Sequence, residues 1–304
     1  MMKFYLITGF LGAGKTTFLK NFIRLLAPKR IFLIINEFGK EGVDGKLLRE
    51  MNSVLAEINN GSIFCSCRLD KFEETLATAI AQKPDVIVTE ASGLADPTNI
   101  SHLLSKYSEI SYEGSICLAD AVQLPRVYHT AVVAHKQLAV AGLVLLNKTD
   151  IAKPEQKEAA RELILQANPL AHIEETEYGR IKSDWLKHLK PSSAQEMASE
   201  LRDITLQKST LEVSFNMSRD MMLHCLKQLS ESTYRMKGFL KLADGNFYAD
   251  CTGPDVQLKP WQGETNNRLV LLAGRGMPLR KAIKQALSWY DKYLTMIKED
   301  EHDG

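Results

Sequence analysis

Nowhere in the 304 residues is there the unbroken apolar run of roughly 18 that a membrane-crossing helix requires. Met1 to Thr8 also lacks the charged start and small-residue cleavage site of an export signal, so the expectation is a cytoplasmic protein with no membrane partner. Cysteine is scarce and odd in number: five residues, Cys65, Cys67, Cys117, Cys225 and Cys251, do not form the paired framework of a small secreted protein. They are expected to be reduced thiols, and any close pair becomes a metal or redox candidate. Net charge is nearly absent, with 38 Lys plus Arg against 37 Asp plus Glu, and this removes any global electrostatic case for nucleic acid or an anionic surface. There is no internal repeat, no low-complexity tract, no G-x-S-x-G elbow and no H-E-x-x-H, so solenoids, hydrolase triads and zincin-type proteases lack support. With 45% apolar and 25% charged residues, disordered, collagenous and coiled-coil classes are excluded as well.

What is present is an alternation. Up to about residue 180, short apolar runs alternate with longer amphipathic segments, the pattern of stacked βαβ units and a mostly parallel sheet. Strands are expected at 3–8, 31–35, 54–58, 85–89, 115–120, 142–147 and 172–176, with helices at 15–26, 71–81, 120–128, 130–141 and 154–167. Residues 190–206 carry Pro191 and mixed charges without an apolar period and read as a connector. Beyond it, a strand at 211–215, Ser218 as a helix cap, runs at 238–241, 247–250 and 269–273, and a last helix over 278–296 suggest an antiparallel α+β module. The expected organisation is an α/β domain over 1–190, a linker over 191–206 and a small α+β domain over 207–304.

Gly9-Phe10-Leu11-Gly12-Ala13-Gly14-Lys15-Thr16 satisfies G-x4-G-K-[ST] and stands between an apolar strand and an amphipathic helix, the setting in which that pattern cradles phosphate. The glycines allow the backbone to wrap with its amides inward. Gly9, Gly12, Ala13, Gly14, Lys15, Thr16 and Thr17 are the expected phosphate residues, Lys15 reaching the terminal oxygens and the Thr16 hydroxyl ligating Mg²⁺. At the end of another apolar strand, Asn147-Lys148-Thr149-Asp150 can read a base. The Asp150 carboxylate accepts from the N1 and N2 donors of guanine, a pair that adenine does not offer, which favours GTP and GDP over adenine nucleotides. Asn147 would brace the loop, and the Lys148 stem would pack on the ring.

Glu90-Ala91-Ser92-Gly93 follows a further strand, where an acid serves Mg²⁺ or the attacking water and a glycine approaches the γ-phosphate. Residues 36–50 have little apolar periodicity and contain Gly39, Gly42 and Gly45, as a γ-phosphate-sensing segment would. Asp44 is its expected Mg²⁺-linked acid, with Glu37 and Glu41 as alternatives. Cys65-Ser66-Cys67 offers two thiolates to one borderline ion such as Zn²⁺ or Co²⁺, and Glu37, Glu41 or a histidine distant in sequence would complete the set. A pair of packing cysteines is the competing reading.

These stretches together resemble the CobW family of metallochaperone-type P-loop GTPases: Thr8 to Thr17, Asn36-Glu37-Phe38-Gly39, Glu90 to Pro97, and Asn147 to Asp150. Tyr234 to Phe239, Trp261 and Leu269 to Leu272 are similar to that family's small C-terminal domain, so the resemblance covers nearly the whole chain. It implies slow GTP hydrolysis coupled to delivery of a transition metal or metallocofactor to a client metalloenzyme or cobalamin-dependent protein, and it admits a homodimer. The family's Cys-x-Cys-Cys motif aligns with Cys65, Ser66, Cys67 and then Arg68, a residue that cannot ligate. The alternative is therefore a remodelling GTPase that reactivates such a client and binds no metal itself.

Overall fold

The structure is a computed structural model that describes residues 1–35, 53–57, 69–191, 206–253, 255–274 and 277–300. The chain divides into two compact units, Met1–Arg202 and Asp203–Gly304. In the first, β1 (Met2–Thr8), α1 (Lys15–Leu26), β2 (Ile31–Ile35), β3 (Ser53–Glu57), α2 (Leu69–Gln82), β4 (Val86–Glu90), α3 (Ile100–Leu104) and β5 (Ile110–Asp120) follow in order. Then come α4 (Leu124–Tyr128), α5 (Val132–Ala139), β6 (Ala141–Asn147), α6 (Pro154–Ala167), β7 (His172–Glu175) and a 3-10 turn at Ser183–His188.

All seven strands run parallel in the order β3-β2-β4-β1-β5-β6-β7. β2 and β4 are buried at every position, as strands covered on both faces must be, which is why they read as unbroken apolar runs. On one face Phe18, Leu19, Phe22 and Ile23 of α1 pack on Ile7, Leu33, Val88, Ile116 and Leu143. On the other, Phe72 and Leu76 of α2 and Ile100 of α3 cover Phe4, Leu6, Phe32 and Ile87. A third cluster joins Leu124 of α4 and Leu138 of α5 to Ile164 of α6 over Val144 and Leu146.

β1 lies between β4 and β5. The chain order reverses there, and that opens a crevice at the carboxyl ends of the strands. Register fixes what borders it: Ile7 pairs with Glu90, Thr8 with Cys117, and Asp120 with Asn147.

The second unit holds β8 (Leu206–Val213), α7 (Arg219–Ser230), β9 (Arg235–Leu242), β10 (Gly245–Thr252), β11 (Asp255–Pro260), β12 (Arg268–Gly274), α8 (Leu279–Trp289) and β13 (Leu294–Asp300). Its strands form an antiparallel sheet in the order β11-β10-β9-β12-β8-β13. Ser218 caps α7, its hydroxyl accepting from the Met221 amide at 3.3 Å.

One expectation is corrected here. The last helix ends at Trp289 instead of Met296, and Leu294 belongs to β13, where it pairs with Val213. Leu294 continues the three- and four-residue spacing of the helix face, but pairing with the edge of β8 overrides it. β11 and α3 were not anticipated either. Among the described residues no helix is long and apolar enough to cross a membrane.

Candidate nucleotide site

The loop between β1 and α1 turns through three glycines in the left-handed region, Gly9 (φ 131°), Gly12 (φ 76°) and Gly14 (φ 97°). Only glycine adopts these angles without strain. Close approach adds a second demand, since a Cβ on Gly9 would lie 2.3 Å from the Leu118 carbonyl oxygen. α1 then starts with no side-chain cap and no acid in its own first turn, so its positive dipole end is not offset from within the helix. Lys15 is 9% exposed, and its amino group donates to the carbonyls of Gly9 at 2.7 Å and Phe10 at 3.1 Å. A cation folded back into the loop in this way sits where an anion's oxygens would meet it. Thr17 is exposed one position on.

Glu90, the last residue of β4, is 7% exposed and stands across from Thr16, whose hydroxyl donates to Oε1 at 3.5 Å. A buried carboxylate and a hydroxyl converging beside the loop are hard oxygen donors of the kind Mg²⁺ takes, so these residues fit that ion. Gly93 follows, packed against Leu11 so tightly that a Cβ would lie 2.8 Å from the Leu11 nitrogen. α5 holds this segment from behind: Gln137 donates to the carbonyls of Gly93 at 3.2 Å and Ala95 at 3.1 Å, and Lys136 pairs with Asp96 at 2.6 Å.

On the far side of β1, Asn147 at the end of β6 is 2% exposed and serves two loops at once. Its Nδ2 donates to the Ala13 carbonyl at 2.9 Å, and its Oδ1 accepts from the Gly179 amide at 3.0 Å. Lys148 adopts φ 63° and pairs with Asp120 at 2.7 Å, while Asp150 is exposed. The segment from Thr176 to Arg180 closes this side: Thr149 Oγ1 donates to the Thr176 carbonyl at 3.0 Å, and Asn21 of α1 donates to the carbonyls of Tyr178 and Gly179.

Local sequence does not single out Asp120, Gln137, or the turn at Tyr178 and Gly179. An acid closing an apolar strand and a Tyr-Gly pair after the last strand of the unit were the signals, but neither carries a partner in its own local pattern.

The remaining candidates, Glu37, Glu41, Asp44, Cys65 and Cys67, lie outside the described residues, as does Arg68. The other three cysteines, Cys117, Cys225 and Cys251, are buried. Burial pushes the Cys117 and Cys225 thiols up to about 12 and the Cys251 thiol to about 11, so all three stay protonated near neutrality and are poor metal ligands. Among the described residues no group of three His, Cys, Asp or Glu side chains is placed to hold a metal ion.

A parallel sheet whose first strand runs into a glycine loop and a bare helix N-terminus, with an acid on one neighbouring strand and an Asn-Lys-Thr-Asp turn beyond the other, defines a P-loop nucleotide-binding domain. The chain belongs to the family described as CobW/HypB/UreG, nucleotide-binding domain, which matches residues 3–175. It is 31% identical over 186 residues to the zinc chaperone YjiA of Escherichia coli, covering 58% of this chain and 58% of that protein. It is 33% identical over 194 residues to the zinc chaperone YeiR of the same organism, covering 60% of this chain and 57% of that one. The chain thus spans somewhat over half the length of these curated relatives. The crystal structure of Zn(II)-bound YjiA GTPase from E. coli is 20% identical, with a TM-score of 0.48 over 95% of this chain and 98% of that one.

Proposed function

We propose that this protein binds and hydrolyses GTP and uses its nucleotide state to control delivery of a transition metal or metallocofactor to a client enzyme in the cytoplasm. The observation that carries the nucleotide half is the double hydrogen bond of Asn147 to Ala13 and Gly179, because it ties a phosphate loop to a base loop as parts of one site. The amides from Gly9 to Thr17 and the Lys15 amino group hold the phosphates, with Gly93 beside the terminal one. Asp150 accepts from guanine, and the Lys148 stem covers the ring. Thr16, Glu90 and Asp44 would hold Mg²⁺, which when bound neutralises charge on the phosphate oxygens. Glu90 also stands where it can accept a hydrogen bond from the attacking water. Hydrolysis is slow in isolation and quickens on meeting a partner that completes the charge stabilisation at this loop.

Support for the metal half comes from the family and from relatives named zinc chaperones. Cys65 and Cys67, with Glu37 or Glu41 from the γ-phosphate-sensing segment, would carry the ion as cargo. One observation favours the second reading, a remodelling GTPase without its own metal: Arg68 occupies the third thiol position and puts a fixed positive charge beside the pair. Titration of the reduced full chain with Zn²⁺ or Co²⁺, with and without GTP, separates the two. The metallochaperone reading requires tighter binding by the wild type than by the Cys65→Ala/Cys67→Ala variant, together with an affinity that changes with nucleotide.

A further inference from the structure

Asp120 is the last residue of β5 and is 6% exposed, so its charge is nearly closed off from water. A carboxylate in such a place is costly unless both oxygens are satisfied. Here both are, and by different parts of the molecule. Oδ1 accepts from the amides of Val122 at 2.9 Å and Gln123 at 3.0 Å, the turn that leads into α4. Oδ2 receives the Lys148 amino group at 2.7 Å.

The backbone on either side is pinned as well. Asp120 is in register with Asn147, and the Ala121 amide donates to the Asn147 carbonyl at 2.9 Å. Lys148 has φ 63°, a left-handed angle that an unbranched long side chain seldom adopts unaided. Its side chain is 33% exposed, so one end of it stays within reach of a ligand while the other is held.

We infer that Asp120 is a positioning residue for nucleotide binding: it holds the Lys148 amino group at the end of β5 so that the lysine stem is laid out in advance as the floor of the base pocket. This rests on the guanine-site reading proposed above and adds to it a residue outside the Asn-Lys-Thr-Asp turn. Preorganisation of this kind acts on affinity through Lys148 alone. Asp120 touches no base atom itself, so its removal weakens GDP and IDP alike.

The test is a double-mutant cycle on the full chain, reading the Kd of fluorescent GDP for wild type, Asp120→Asn, Lys148→Met and the double variant. Asn keeps the Oδ1 acceptor for the two amides and puts an amide nitrogen, which cannot accept from Lys148, in place of the charged Oδ2. The expected result is that Asp120→Asn weakens binding roughly tenfold in the wild-type background and less than twofold beside Lys148→Met. Thermal unfolding without nucleotide gives a second readout: Lys148→Met lowers Tm by stranding the Asp120 carboxylate, and adding Asp120→Asn restores part of the loss. Should Asp120→Asn fail to fold, Asp120→Ser, which retains a capping oxygen, takes its place. An equal loss of affinity in both backgrounds overturns the positioning role and leaves the guanine site standing. A Lys148→Met variant with unchanged affinity likewise overturns the positioning role, while the guanine site itself falls only if Asp150→Asn leaves base discrimination intact.

Discussion

The side-chain amide of Asn147 donates to the carbonyl of Ala13 at 2.9 Å, joining residues 134 positions apart. The bond explains why Gly14 must be glycine twice over: its φ is 97°, and a Cβ there would lie 2.5 Å from the same Asn147 nitrogen. Asn147→Ala strands the Ala13 carbonyl and the Gly179 amide, each at about 1–3 kcal/mol if left unpaired. GTP and GDP affinities should fall together by roughly ten- to a hundredfold in isothermal titration, with their ratio unchanged. A variant that loses affinity for GTP while keeping GDP would place Asn147 at the γ-phosphate and refute its bridging role.

Lys15→Ala addresses the other end of the ligand. The lysine donates to the carbonyls of Gly9 and Phe10 and is not part of the apolar cluster beneath α1, so the fold should survive with a Tm close to wild type. GTP binding should weaken by about a hundredfold or more, because charge-assisted contacts to phosphate are lost. Full GTP affinity in this variant would mean that the phosphates lie elsewhere.

Gly179 is the position where fold and site are least separable. Its φ is 61°, and a Cβ would approach the backbone Cα and nitrogen of Phe18 to 2.7 Å, where α1 cannot yield without unpacking Phe22 and Ile23 beneath it. Gly179→Ala combines left-handed strain of about 1–2 kcal/mol with that clash. Urea unfolding should show a loss of about 3 kcal/mol, and guanine affinity should drop in parallel as the Oδ1 partner of Asn147 moves away. Wild-type stability in this variant would mean that the loop does not pack against α1 as described.

These three positions also separate what a local pattern specifies from what only tertiary contact does. The turn of the glycine loop was legible because it is a local property: spacing, glycine and lysine occur within eight residues, between a strand and a helix that periodicity alone reveals. Asn147 and Glu90 were legible by their places after apolar strands. Asp120 and Gly179 were not, because each is fixed by a partner on another strand or helix, and nothing in their own neighbourhoods specifies it. The over-long last helix has the same cause. Leu287, Tyr290 and Leu294 are spaced for a helix face, but only the unpaired edge of β8 decides that Leu294 extends instead.

Asp150→Asn tests the base assignment. Asp150 is exposed and takes no part in the core, so stability should be unchanged within error. The carboxylate is the group that distinguishes guanine's paired donors, and an amide presents one donor where two acceptors are needed. Discrimination of GTP over ATP should fall by about a hundredfold in competition binding, mostly through weaker GTP binding. Discrimination equal to wild type would remove Asp150 from the base site.

The cysteines supply the last prediction. Cys117, Cys225 and Cys251 are buried, and their folded pKa values of about 12, 12 and 11 exceed the ordinary thiol value of 9.0. At pH 8 the native protein should therefore take up alkylating reagent at no more than two sites, Cys65 and Cys67, with the other three reacting only after denaturation. Intact mass and peptide mapping count them. Because the folded state holds these protons more tightly than the unfolded chain, stability is fully present below pH 9 and declines as pH rises from 9 towards 12, a slope that pH-dependent urea unfolding measures directly. The same alkylation assay decides the cargo question. If Cys65 and Cys67 carry zinc, one equivalent of Zn²⁺ should slow their labelling by at least about tenfold, since a coordinated thiolate is a weak nucleophile, and exchanging GDP for GTP should shift that protection. Labelling rates indifferent to zinc in both nucleotide states would leave the metal-free remodelling GTPase as the surviving account.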